Sequence, residues 1–245
     1  MAQTPPSAPP PGLEAPSTVA PSLPTTSDGP QHIIRLNFPE IAALAQHERY
    51  PEVVAACENL EIAVPNSNDL ARLLLTVPLV IAYLILDDIP PAYFALKRLP
   101  PGLIETPLPQ ALFSLLASVS ERKYPSVYTR LSSVVTLAQN GSAVDAELGI
   151  LIVSMATTFK TIFQNRTIEL LSRAYAAIPA SQATVMLNMP KDAIISTVSS
   201  WTFDATKGTF LPSALPQRGL SNTRPSKVEV FENLASGAAY LESAA

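Results

Sequence analysis

Proline punctuates this chain at regular intervals. Glu48-Arg49-Tyr50-Pro51, Asp88-Ile89-Pro90-Pro91 and Glu121-Arg122-Lys123-Tyr124-Pro125 each set a proline ahead of an apolar run, and Pro51, Pro90 and Pro125 stand 39 and 35 residues apart. Proline lacks an amide hydrogen, so it fits the first turn of a helix, where that hydrogen would have no intrahelical partner. A helix-opening proline at this spacing predicts stacked helical hairpins, none able to bury its apolar face alone. The first and third openings share Glu, Arg, Tyr and Pro in that order, with one Lys inserted in the third. The expectation is an α-solenoid of about three hairpins over residues 38–178.

Scarcity of other residue types excludes most chemistry. The 245 residues include eight glycines, two histidines and one cysteine. The closest glycines, Gly141 and Gly149, are eight apart, so no dinucleotide fingerprint, nucleophile elbow or phosphate loop fits. His32 and His47 are fifteen apart, which removes close histidine pairs. Cys57 alone permits neither an internal disulfide nor a cysteine-cluster zinc site. No catalytic, cofactor-binding or metal residue is therefore expected, and the chain reads as a non-enzyme. Charged residues make up 15%, against about 25% in globular chains, so much of the surface is expected to be covered by something else. The net charge of −4 argues against a nucleic-acid partner, which needs clustered Lys and Arg.

No signal-peptide pattern is visible at the N-terminus, and the lone cysteine agrees with a reducing compartment. The apolar run Leu73–Leu86 has fourteen residues, short of the roughly 20 of a bilayer span. It predicts a buried core helix and no membrane. Residues 1–30 hold nine of the 25 prolines and no aromatic residue, which predicts a disordered tail.

Helical periodicity starts at Phe38. Ile41, Leu44 and Ala45 share one face, as do Val53, Val54, Cys57 and Leu60. Cys57 then reads as a small core residue, and His32 and His47 as surface or capping residues. Tyr93, Phe94, Leu96 and Leu99 are expected to face inward, and Asp87 and Asp88 to cap the helix that follows them. Residues 142–177 read as a long helix broken near Asn165, opened by a capping box of Ser142 and Asp145. Its expected inner face is Ile150, Leu151, Val153, Ser154, Thr157 and Thr158.

The pattern changes after residue 178. Ser181 is placed to cap a short helix carrying Val185 and Leu187, and Asn188-Met189-Pro190 makes a turn into a second helix. That helix sets Ile194, Val198 and Trp201 at i, i+4, i+7. Two short alternating runs around Asp204–Gly208 predict a β-hairpin. Helix, turn, helix and hairpin over 179–212 form a winged-helix pattern. Base readout relies on Arg, Lys, Asn and Gln, and the second helix offers only Lys191 and Asp192. The module is better suited to a protein partner, with Phe203, Thr209, Phe210 and Leu211 on an open strand edge. Residues 213–224 read as a linker, and 225–243 as an amphipathic helix whose stripe Val228, Phe231, Leu234 and Leu241 must bury somewhere.

Helical hairpins, a winged helix and a terminal helix make up the layout of PCI-domain proteins. Leu96-Lys97-Arg98-Leu99-Pro100-Pro101, Arg122-Lys123-Tyr124-Pro125-Ser126-Val127-Tyr128, Ala174-Tyr175-Ala176-Ala177-Ile178, Trp201 to Pro212 and Tyr240-Leu241-Glu242 resemble the subunit-8 family of the COP9 signalosome. A proteasome lid subunit and subunit k of a translation initiation scaffold belong to the same superfamily. The resemblance implies a mainly α PCI fold and a non-catalytic scaffold. Its complex removes the ubiquitin-like modifier Nedd8 from cullins through a metalloprotease that is a different subunit. It also implies other PCI subunits as partners, subunit 3 foremost, pairing through the winged helix and a bundle of terminal helices, in cytoplasm and nucleus.

Overall fold

All three proline signals open helices. The computed structural model describes residues 30–64, 70–140 and 145–212. Eight helices come first: α1 Pro30–Gln46, α2 Tyr50–Ala63, α3 Ala71–Leu86, α4 Ile89–Lys97, α5 Pro101–Ile104, α6 Pro107–Ser120, α7 Tyr124–Gln139 and α8 Ala146–Ala174. A smaller unit follows: β1 Ile178–Pro179, α9 Ala180–Leu187, α10 Lys191–Thr197, β2 Trp201–Asp204 and β3 Thr209–Pro212. The tail 1–29, the linker 213–224 and the segment 225–243 lie outside the described residues.

The proline spacing marks a repeated joint. Three residues before each proline stands a left-handed residue: Glu48 (φ 57°), Asp87 (φ 64°) and Arg122 (φ 56°). The next amide in each joint bonds a carbonyl five residues back: Arg49 to Leu44 at 3.0 Å, Asp88 to Tyr83 at 2.9 Å and Lys123 to Ser118 at 2.9 Å. The left-handed residue itself bonds three back, to Ala45, Leu84 and Val119. This bond pair is a Schellman stop, which satisfies the last carbonyls of a helix. The proline then starts the next helix. No joint uses glycine, so each accepts roughly 1–2 kcal/mol of left-handed strain. Pro39 and Pro78 lie inside α1 and α3, where the surrounding packing offsets the roughly 3 kcal/mol an interior proline costs.

The hairpins gather around α3. Every residue from Ala71 to Ile85 is buried, because α1, α2, α4 and α8 all pack on this helix. A helix apolar on all sides has no other stable place. Near it lies a polar cluster. Arg98 grips Glu61 through Nε at 2.8 Å and Nη2 at 2.6 Å, and buried Arg72 reaches the same carboxylate at 3.3 Å. The Tyr83 hydroxyl donates to Glu58. These contacts tie α2 to α3 and to the end of α4.

Several expectations are corrected. Helix α1 begins at Pro30, not Phe38, because Ile34 continues the stripe of Phe38, Ile41 and Ala45 into the core. Helix α8 is continuous. Asn165 is exposed on it, and no Gly or Pro follows Gly149 before Pro179, so nothing strong enough to break it is present. Its buried face is Leu148, Leu151, Ile152, Met155, Ala156, Phe159 and Phe163, and Ile150 is 71% exposed, with Ser154 and Thr157 also outside. Apolar residues occur on both faces of this helix, and packing against α7, α3 and α1 made the choice. Asp145 is the N-cap residue with no side-chain cap bond, and Ser142 lies outside the described residues. Helix α8, not Leu73–Leu86, is long and apolar enough to cross a bilayer by length and composition, but it inserts its large side chains into the helical core.

Leu96 on α4 and Leu99 just after it are buried as expected, whereas Tyr93 is 39% and Phe94 58% exposed. Small Ala92 and Ala95 take the inward positions, which lets α4 lie close to its neighbours. On α9, Pro179 is the N-cap residue, Ser181 lies within the helix, and Val185 is exposed.

Candidate partner-binding surface

The small unit has its own core. Ile178, Ala183, Leu187, Ile194, Val198, Trp201 and Phe210 pack together with Leu171 from the end of α8. The predicted series Ile194, Val198 and Trp201 therefore meets in one place. Trp201 donates its indole N–H to the Ser172 hydroxyl at 2.7 Å, and its ring lies 5.8 Å from that of Phe210. Gln164 of α8 donates to the Leu187 carbonyl at 2.8 Å. One continuous helix thus supports both units.

The sheet order relocates the free edge. β2 and β3 form the expected antiparallel hairpin, with Trp201 opposite Pro212 and Phe203 opposite Phe210. β1 then pairs with the other side of β3, Ile178 opposite Phe210 and Pro179 opposite Thr209, giving the order β1-β3-β2. Thr209 and Phe210 are thereby in the middle strand, and the Phe210 side chain is fully buried. The expectation that these two residues line an open edge is corrected. The short β1 had no sequence signal, since two residues cannot show alternation. Among the described residues both outer strands, β1 and β2, have an unpaired side, and the longer of the two is β2, Trp201–Asp204.

Phe203 lies on this edge strand, half-buried, with its ring 5.1 Å from Phe210. Lys191 of α10 holds its ammonium 4.1 Å from the Phe203 ring centre, an attraction to the ring quadrupole. Leu211 is 37% exposed beyond the part of β3 that β1 covers. Val228, Phe231, Leu234 and Leu241 lie outside the described residues. The hairpin loop is fixed by Asp204, whose carboxylate accepts from the Thr206 amide at 3.0 Å and hydroxyl at 2.5 Å, and from the Lys207 amide at 3.3 Å. These bonds, led by the Thr206 hydroxyl, hold the Asp204 carboxyl below its ordinary pKa. Gly208 supplies the left-handed residue (φ 62°) that closes the loop.

The charge pattern suits contact with protein more than with nucleic acid. Lys191 and Lys207 are matched by Asp192 and Asp204 across 178–212. Helix α10, the counterpart of a recognition helix, exposes Ile195 and carries no Arg, Asn or Gln.

Elsewhere the polar groups serve the fold. Burial, then the charges of Glu61 and Glu58, push the Cys57 thiol up to about 12, so it stays protonated and inert. No cluster of His, Cys, Asp and Glu suited to a metal occurs among the described residues. A groove of about 620 Å³ lies between the joints at Asp87 and Arg122 and the α8 residues Phe163, Arg166 and Thr167. Arg166 is engaged there by the α3 C-terminal carbonyls of Leu84 at 3.4 Å and Ile85 at 2.5 Å, with Asp87 at 3.8 Å. This is a helix-end cap.

Comparison with known proteins supports an assembly role. The chain is 28% identical over 208 residues to COP9 signalosome complex subunit 8 of Dictyostelium discoideum, a match covering 84% of this chain and 97% of that protein. The model of the CSN8/PSMD8/EIF3K family matches residues 71–218, from the start of α3 through the three-stranded sheet and slightly beyond. That match takes in more than half of the sequence, including the buried α3, the joint prolines at 90 and 125 and the whole winged helix. With a mainly helical bundle leading into a small sheet unit, this chain belongs to the CSN8/PSMD8/EIF3K family of non-catalytic PCI complex subunits.

Proposed function

We propose that this chain is a scaffold subunit of a COP9 signalosome, supporting the removal of Nedd8 from cullins by another subunit. The reading rests on the similarity to a subunit 8 along nearly all of that relative's length. The free side of β2 is the surface that fits it. An unpaired strand edge on a charge-balanced module takes a neighbouring extended strand by main-chain hydrogen bonds. Phe203 lies on that edge strand and exposed Leu211 one strand further in, opposite Thr202, and a further PCI subunit, subunit 3 foremost, would occupy the edge. The stripe of Val228, Phe231, Leu234 and Leu241 in the segment 225–243 would join helices of other subunits after the linker 213–224, with residues 1–30 as a separate tail. Such a subunit works in cytoplasm and nucleus.

The test is tagged full-length protein and mass spectrometry of the stoichiometric co-purifying proteins. Signalosome subunits are the expected result. Proteasome lid or translation initiation subunits would assign the chain to one of those two assemblies instead, the second reading its family allows. Recovery of the protein alone would overturn both. Proline at Thr202 or at Phe203 refines the surface. Successive strand amides point to opposite sides, so one variant loses an outward donor and the other a bond to β3. The outward variant should keep its melting temperature and lose co-purification. Deleting 225–245 should act in the same way.

A further inference from the structure

A second surface lies on the helical bundle, away from the sheet. The solvent side of α4 is Pro90, Tyr93, Phe94 and Lys97, and Phe94 is the most exposed aromatic ring among the described residues. Tyr93 meets Phe94 edge-on at 5.7 Å and Phe113 of α6 at 6.2 Å, so the three rings form one aromatic ridge across two helices. The Lys97 ammonium stands 5.0 Å from the Tyr93 ring centre. Helix α6 has no charged residue in its fourteen positions, and its outer stripe is Pro107, Gln110, Ser114 and Ala117. A helix face left in water normally carries charge, and a contiguous apolar patch of this kind marks an interaction site.

Charge settles what fits there. Neither α4 nor α6 contains a carboxylate. The cations at the patch are Lys97 and Arg130, the latter held at α6 by its bond to the Ser114 carbonyl. The nearest carboxylates in sequence stand at the helix ends: Asp88 before α4, Glu105 just before α6, and Glu121 after α6. Glu121 pairs with Lys123 at 2.8 Å and also feels the charge of Arg130, so Lys97 is the cation of the patch that has no carboxylate partner on α4 or α6. A second copy of this chain would bring like charges together, which is unfavourable. We infer that the Tyr93–Phe94–Phe113 ridge is a second docking surface, for an acidic amphipathic helix of a partner subunit that packs aliphatic side chains on the rings and sets carboxylates against Lys97 and Arg130. Aromatic anchors flanked by arginine or lysine are the usual composition of the energetically dominant part of an interface.

The inference rests on the chain being a complex subunit, and the test keeps the two ideas separate. Full-length protein with a photo-crosslinking phenylalanine analogue at position 94 is assembled in cells, purified with its complex and irradiated. The expected crosslink joins position 94 to a peptide of another subunit that carries aliphatic residues and at least two carboxylates within two helical turns. Lys97→Glu should lower that crosslink at least tenfold, with the melting temperature unchanged because Lys97 is exposed. A complex that purifies intact but gives no crosslink from position 94, or only one to a second copy of this chain, overturns the inference and leaves the scaffold reading standing. So does an undiminished crosslink in Lys97→Glu. Failure to purify any complex overturns the scaffold reading itself. Vesicles with 30 mol% (about a third) anionic lipid form the last arm: sedimentation of the parent protein with them, lost on Phe94→Glu, would assign the patch to a lipid surface and overturn the protein partner.

Discussion

The helical bundle and the winged helix solve the same problem with different reserves. In the bundle, α3 is enclosed by four other helices, and its neighbours share one continuous core from Ile34 to Phe163. In the winged helix, eight buried residues form the core among the described residues, and one of them, Leu171, is lent by α8. Burial of each large apolar side chain contributes about 1.5–3 kcal/mol, so a loss that the bundle spreads over many neighbours is a large share of what holds the smaller unit. The unit with the smaller reserve carries the unpaired β2 edge. Low local stability is common in elements that must adapt to a partner.

The sharpest way to break this contrast is Trp201→Ala. The substitution removes a ring between Ile194, Val198 and Phe210 and the bond to Ser172, at a cost of about 3–5 kcal/mol. Amide exchange should accelerate across 178–212 while α3 and α7 keep their protection. Equal acceleration in both regions would mean that they unfold as one unit. In the bundle, Gly149→Ala probes a close approach of α8 to α7. A Cβ there would stand 2.6 Å from the Ala138 carbonyl oxygen, and because that oxygen is backbone, α8 must shift. Overpacking of this kind costs about 1–3 kcal/mol, readable as a lower denaturant midpoint; an unchanged midpoint would show that the two helices separate freely.

A smaller effect of opposite sign tests the repeated joint. Arg122→Gly relieves left-handed strain at the α6–α7 stop and should stabilise the protein by up to about 1 kcal/mol, less the extra chain entropy of glycine. A fall in thermal midpoint would mean that the Arg122 side chain contributes more than its backbone costs. The smallest effect is electrostatic. The Asp204 carboxyl is held below its ordinary pKa by Thr206 and Lys207. Its support of the hairpin loop is therefore full above the unfolded pKa and lost as pH falls through the depressed one. Carboxyl chemical shifts should show this late protonation, and Thr206→Ala should move it back up, with little change in global stability because the group is exposed.

Local signals were legible wherever a single residue type has one structural use. Pro51, Pro90 and Pro125 opened helices because the first turn is where a missing amide hydrogen costs least, whereas Pro39 and Pro78 sit in helix interiors that packing sustains. The spacing of Ile194, Val198 and Trp201 pointed to one core, and they do share it, but not as one helical stripe: α10 ends at Thr197, Val198 is its C-cap and Trp201 reaches the core from β2. The signal failed where two faces competed. In α8, Ile150 and Ile152 are equally apolar, and the sequence alone cannot say which one α3 and α7 will cover. In α4, Tyr93 and Phe94 read as core by hydropathy, yet Ala92 and Ala95 were chosen by the closeness of the packing. The edge of the sheet was misjudged for a related reason: β1 is two residues long, and its pairing with β3 depends on contacts some 30 residues away in the chain.

By itself the sequence determined the helical class, the joints, the winged-helix pattern, the inert Cys57 and the absence of close histidine pairs and glycine motifs. Each follows from the stereochemistry or reactivity of residues near one another in the chain. Only the tertiary structure decided which helix face is inside, which strand carries the free edge, and that Glu61 gathers Arg72 and Arg98 from two other elements. Those outcomes depend on which surfaces remain to be buried after every other element has been placed, and a chain read residue by residue does not contain that order of placement.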